Sequence, residues 1–114
     1  VLAGHCREVG TDFGEIVRSA NVNAIVGDTE ADFADRCGRV RSRIAGVCGD
    51  AAADAMMAMN DNPGNATDTP QRVIERLARL RDLGCDYVIC YFPEAAYDRS
   101  GIEMFEREVI PALS

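Results

Sequence analysis

The sequence predicts an α/β fold that is mostly helical and holds two parallel strands. Three observations carry this. Residues 69 to 92 read as one capped amphipathic helix feeding one continuously apolar strand. A second β-type run, Asn21 to Val26, lies upstream. Helical periodicity fills the segment between them, and parallel strands need a crossover of that kind.

Residues 1 to 9 look like the end of a helix, with Val1, Leu2, Cys6 and Val9 apolar and Gly10 ending it. Asp12 followed by Glu15 is a capping pattern and predicts a short helix from Phe13 to Arg18, with Ile16 and Val17 buried. In the strand Asn21 to Val26, Val22, Ala24 and Val26 alternate with Asn21, Asn23 and Ile25. Two asparagines on one face suit a polar barrel interior, a pairing with neighbours, or simple local hydrogen bonding.

Gly27-Asp28-Thr29 is a turn into a cap, with Thr29 and Asp32 at capping-box spacing. The helix it opens runs from Glu30 to about Ala45 and buries Phe33, Cys37, Val40 and Ile44. Arg36, Arg39, Arg41 and Arg43 read as its solvated side, with a phosphate or subunit contact the rarer alternative. Gly46 to Asp50 is a break, and Ala51 to Met59 another helix. Met56, Met57 and Met59 suit core packing or a subunit contact ahead of a substrate pocket. Asn60 to Asp68 is rich in turn formers and reads as irregular and the most mobile stretch.

Thr69 then caps a helix with Pro70 at its first position, where a missing N–H costs nothing. Val73, Ile74, Leu77 and Leu80 form its apolar stripe, and Gly84 stands where a left-handed C-terminal residue is wanted. Tyr87 to Phe92 reads as a strand buried on both faces. Pro93 to Arg99 is a loop. Ser100 with Glu103 is a capping box for a last helix that buries Met104, Phe105 and Val109 and stops at Pro111.

Length allows one domain, 114 residues. The net charge of −7 argues against nucleic acid or an anionic membrane as partner, although all twelve cationic residues are arginine. No apolar run is long enough to span a bilayer, and no signal-peptide pattern opens the chain. It begins at Val1 with an element already under way, as a piece of a longer protein would. Cys6, Cys37, Cys48, Cys85 and Cys90 show no metal-binding spacing, and His5 is the sole histidine. Buried thiols in a reducing cytoplasm and no metal are therefore expected. Phosphate-binding glycine loops and nucleophile elbows are absent. Two places keep a functional claim: the helix N-terminus at Thr69, whose free N–H groups suit an anion, and the end of the second strand, Tyr91-Phe92-Pro93-Glu94.

Thr69-Pro70-Gln71-Arg72-Val73-Ile74-Glu75-Arg76-Leu77, Gly84-Cys85-Asp86-Tyr87-Val88 and Phe105-Glu106-x-Glu108-Val109-Ile110-Pro111-Ala112-Leu113 together resemble the C-terminal end of the luciferase-like monooxygenase family, above all its F420-dependent oxidoreductases. His5-Cys6 with Gly10-Thr11-Asp12, Ile16 and Ser19 is similar to the segment before that family's seventh strand. Relatives carry Gly-Thr-Pro where this chain has Asp68-Thr69-Pro70. The resemblance implies a partial TIM barrel: residues 1–114 would be a single C-terminal segment, the last two βα units of a (β/α)₈ barrel, with 28–68 a helical insertion plus a mobile loop. It implies two-electron chemistry on a small organic substrate with coenzyme F420 or FMN. Thr69, Tyr91 and Phe92 would touch the cofactor, and most catalytic groups would come from earlier strands, so the chain alone would be inactive. The other reading is a non-catalytic α/β module forming a homo-oligomer through its sheet edges.

Overall fold

The sheet is centred on β1 (Ser19–Val26), which is paired on both sides. The computed structural model describes residues 1–114 and shows an α/β chain with a small open sheet of three parallel strands in the order β2-β1-β3. β2 is Ala66–Asp68 and β3 is Tyr87–Tyr91. Before β1 come α1 (Leu2–Val9), ended by Gly10 at a left-handed φ of 77°, and a 3₁₀ turn, Phe13–Glu15. Between β1 and β2 lie α2 (Glu30–Cys48) and α3 (Asp50–Asn60). Helix α4 (Pro70–Asp82) joins β2 to β3. The chain ends in α5 (Ser100–Met104), a π-helical turn (Phe105–Val109) and α6 (Ile110–Leu113), which run on without a break.

The steps β1 to β2 and β2 to β3 run in opposite directions across the sheet. A common right-handed crossover therefore puts their helices on opposite faces. Val22, Ala24, Val26 and Ala66 pack on one face against Val73 and Leu77 of α4 and Met104, Phe105 and Val109 of the final helix. Ile25, also fully buried, points the other way, toward α2 and α3, where Val40 and Ala53 are buried. Gly27 lets this happen: a Cβ there would lie 2.2 Å from the Phe33 backbone nitrogen.

Several expectations are corrected. The sheet has three strands because the stretch read as loose, Asn60 to Asp68, contains β2, whose three residues are all buried. Asn65 anchors it, accepting from Asn23 N and donating to the Met59 carbonyl. Tyr87 to Phe92 is not buried on both faces. β3 is an edge strand with Val88, Cys90 and Phe92 against the core and Tyr87, Ile89 and Tyr91 exposed by 58%, 37% and 54%. The helix expected over Phe13 to Arg18 shrinks to one turn, and Val17 is exposed. Arg18 is drawn instead into extended pairing, with its Nη2 2.9 Å from Asp86 Oδ2 and its carbonyl accepting from the Asp86 and Tyr87 N–H groups. Helix α2 passes through Gly46 and breaks only at Gly49.

The caps split. Thr29 accepts from Asp32 N, as the spacing predicts, while Asp32 reaches one residue past the cap and accepts from Asp28 N. Thr69 makes no side-chain cap, and Ser100 lies inside α5 rather than before it. The Ser100 hydroxyl is taken by Arg36, while Asp98 accepts from Ser100 N. Pro111 does not stop the last helix. Having no N–H for the carbonyl four residues back, it is preceded by a widened turn in which Ile110 N–H reaches the Phe105 carbonyl.

Candidate functional site

In an open parallel sheet, the crevice that can hold a ligand lies beyond the C-terminal strand ends, where neighbouring connections leave to opposite faces. Here β1 leaves toward α2, whereas β2 and β3 leave toward the other layer. The strand ends Val26-Gly27, Asp68-Thr69 and Tyr91-Phe92, staggered so that Asp68 is level with Val26 but Tyr91 with Asn23, therefore hold the candidate site, and three polar sets lie on or near them.

The first set is buried. Arg36 donates through Nε to Asp32 Oδ2 at 2.9 Å, through Nη2 to Ser100 Oγ at 2.9 Å and through Nη1 to Glu94 Oε2 at 3.4 Å. Arg36 is 5% exposed and Glu94 1%. Arg39 brings Nη2 to 3.7 Å from Glu94 Oε1, which makes no hydrogen bond. Burial pushes the Glu94 carboxyl up against the lowering pull of Arg36. Burial also works against the charge on Arg36, but Asp32, Glu94 and Asp98 together outweigh it and hold the guanidinium above its usual value. Hydrogen bonding to Arg36 lowers Asp32, and hydrogen bonding to Ser100 lowers Asp98. The result is one carboxyl that takes a proton more readily than a surface glutamate, flanked by carboxylates that stay charged. Beside it, Arg43 stacks 3.7 Å above the Tyr97 ring and lines a shallow hollow of about 610 Å³ with Arg39 and Ser42.

The second set surrounds Asp68, which is buried. It accepts from Thr69 N at 2.8 Å and from Arg76 Nη2 at 2.9 Å, while Arg76 also donates to the Thr67 carbonyl. The third joins Asn23 and Asn60: Asn23 Nδ2 donates to Asn60 Oδ1 at 2.8 Å.

The three residues expected at a cofactor separate. Thr69 borders an open cleft of about 450 Å³ with Asp28, Gln71 and Glu108. Tyr91 is exposed on the opposite sheet face, beyond the part that α2 and α3 cover. Phe92 turns inward and meets Phe105 edge-to-face, with centroids 5.5 Å apart. Both claims are thus at strand ends, but Tyr91 and Phe92 belong to opposite faces.

Arg36, expected on the wet side, is buried, and Glu94 and Asp68, named only as parts of the strand end and of the Asp68-Thr69-Pro70 stretch, are buried polar groups. A signal for Arg36 existed: it stands three residues after Phe33 and four before Val40, on the apolar stripe itself. Nothing in Phe92-Pro93-Glu94-Ala95 marks Glu94 as buried. His5 is exposed, 3.4 Å from Glu8, and all five cysteines are free thiols, with Cys6 buried and Cys48 exposed. No group of three or more His, Cys, Asp or Glu side chains is placed to hold a metal ion, and no helix is long and apolar enough to cross a membrane. Comparison with family models, curated proteins and solved structures gives no match.

Proposed function

We propose that this chain is the closing segment of a (β/α)₈ barrel in a luciferase-like oxidoreductase. In the complete protein it would help to hold coenzyme F420 or FMN beside a small organic substrate in the cytoplasm. One observation carries the reading. Asn21, Tyr87, Ile89 and Tyr91 share the face turned away from α4 and the final helix, and all four are exposed, while Ile25 at the C-terminal end of that face lies under α2 and α3, the helices this reading takes as the insertion. An inward barrel wall has this character once its facing strands are taken away, because side chains alternate between the helix layer and the packed interior.

On this reading Thr69 and Tyr91 stand at the mouth, where βα-barrel sites lie. The Thr69 end offers backbone N–H groups and Tyr91 an aromatic face. Phe92 is engaged by Phe105 and supports the wall from behind. The chain's own part is to position the cofactor ring and exclude water; the two-electron step belongs to the cofactor.

The test pairs this chain with the product of the complete reading frame, which should add about 200 residues upstream. The longer protein is expected to oxidise F420H₂ or FMNH₂ with substrate, the 114-residue chain to be inert, and Tyr91→Ala in the longer protein to weaken cofactor binding while leaving its thermal midpoint unchanged. Turnover by the short chain, or an upstream frame without further βα units, would sink the proposal.

A second reading rests on a different observation. β2 occupies the Ala24–Val26 edge of β1, where another barrel strand would have to pair. That suits a small module associating with a second copy through the edges still open. Sedimentation of the complete protein decides: a monomer excludes it.

A further inference from the structure

We propose that the hollow between β1, α2 and α3 is a binding subsite for the carboxamide or lactam edge of a small neutral ligand. It has a volume of about 100 Å³. Asn23 and Asn60 supply its polar side, and Val40, Ile44, Met56 and Met59 its apolar walls.

The amide pair has spare capacity. Asn23 Nδ2 donates to Asn60 Oδ1 at 2.8 Å. Asn23 Oδ1 accepts nothing, and Asn60 Nδ2 reaches only the Met57 sulfur, at 3.9 Å. Asn23 Oδ1 and the second N–H of Asn60 Nδ2 are thus left free on neighbouring side chains, and exchanging the oxygen and nitrogen of both amides still leaves a free acceptor and a free donor. Asn60 is buried, and a thioether sulfur, a weak acceptor, is the one partner of its Nδ2. The backbones of both residues are already committed: Asn23 N donates to Asn65 Oδ1, and the Asn60 carbonyl accepts from Thr67 Oγ1. Those groups hold the backbone, so beyond the Asn23–Asn60 contact the side-chain amides remain for a ligand.

The apolar side tells the same story. Val40 is buried, but Met56 and Met59 are 49% and 70% exposed at the rim. Flexible thioethers at an open rim can close over a small apolar body. A cyclic amide of about six heavy atoms matches both halves: its C=O and N–H meet the donor and the acceptor, and its ring meets the methionines. No net charge is called for, since no ionisable side chain lines the hollow. The inference needs no part of the barrel reading.

The probe is 2-pyrrolidinone, titrated into the whole chain while the ε-methyl signals of Met56 and Met59 and the side-chain NH₂ signals of Asn23 and Asn60 are followed by NMR. Saturable shifts at all four residues are expected, with cyclopentanone, which lacks the N–H, binding about tenfold more weakly. Met59→Trp, on an exposed position, should block the hollow and abolish the shifts while the far-UV spectrum is unchanged; Ile44→Trp gives a second blocked form should the first disturb folding. Absence of saturable shifts, equal binding of the two probes, or full binding to a folded blocked variant would overturn the proposal. Cofactor turnover is measured separately, so loss of the oxidoreductase reading leaves these signals unaffected.

Discussion

Arg36 on α2 and Glu94 beyond β3 are 58 positions apart, yet Arg36 Nη1 lies 3.4 Å from Glu94 Oε2 and both side chains are nearly inaccessible. Through this contact α2, the turn after β3 and the start of α5 are tied over the end of β1. Gly101 packs against the pair: a Cβ there would lie in ordinary contact, 3.4 Å from Glu94 Oε2 and 3.5 Å from Arg36 Nη1.

Breaking the pair from one side should be worse than removing both members. Arg36→Met strands a buried carboxylate and is expected to cost about 3–5 kcal/mol in urea unfolding. Arg36→Met combined with Glu94→Leu should recover most of that loss. A double variant as unstable as the single one would show that the pair is not the source.

Glu94 also predicts a pH dependence. Its folded value lies above the ordinary 4.5, so the folded state binds the proton more tightly. Its contribution therefore improves as pH falls through the folded value toward 4.5. Asp32 and Asp98 lie below their ordinary 3.8, so their contributions are lost as pH falls from there through the folded values. Relative to Glu94→Gln, the unsubstituted chain should gain stability from neutrality down to about that upper point. A flat or opposite difference in thermal midpoint would contradict the burial of this carboxyl.

Two glycines should respond in opposite ways to alanine. At Gly27 the new Cβ would meet the Phe33 backbone at 2.2 Å, and backbone cannot swing aside. Gly27→Ala is expected to lose about 3 kcal/mol or more. Gly38 sits in mid-helix with nothing within 4 Å of a Cβ, so Gly38→Ala should add about 1 kcal/mol. Denaturant midpoints of the two variants check both.

The thiols should alkylate in a fixed order. Cys48 is exposed and should react first with iodoacetamide, and buried Cys6 should lag. Cys37, whose thiol burial pushes up to about 11, should stay largely unmodified near neutral pH. Peptide mass spectra over time report the order, and early labelling of Cys37 would count against the packing of α2.

The local elements were legible wherever one chain segment decides its own form. Pro70 and the stripe Val73, Leu77 mark α4, Thr29 with Asp32 marks the start of α2, and Gly84, at φ 87°, takes the left-handed turn. The buried helix side of the C-terminal segment, Met104, Phe105 and Val109, followed from spacing alone. The site was less legible. Thr69 and Tyr91 lie at strand ends, but the burial of Glu94 and Arg36 was not legible, because each is buried by a partner far along the chain.

The sequence by itself determined the α/β class, the helices other than the one expected over Phe13 to Arg18, two of the three strands and the cap at Thr29, since these rest on spacing, turn chemistry and backbone preference within a few residues. Tertiary structure alone decided that Ala66–Asp68 is a strand, that Tyr87–Tyr91 is an edge with one face open, that Ser100 serves Arg36 instead of a cap, and that Asn23 meets Asn60. The reason is physical. A short polar segment gains β structure only from the strand beside it, a strand's two faces are buried only if layers exist to cover them, and a charge goes inside only where a distant opposite charge is already waiting.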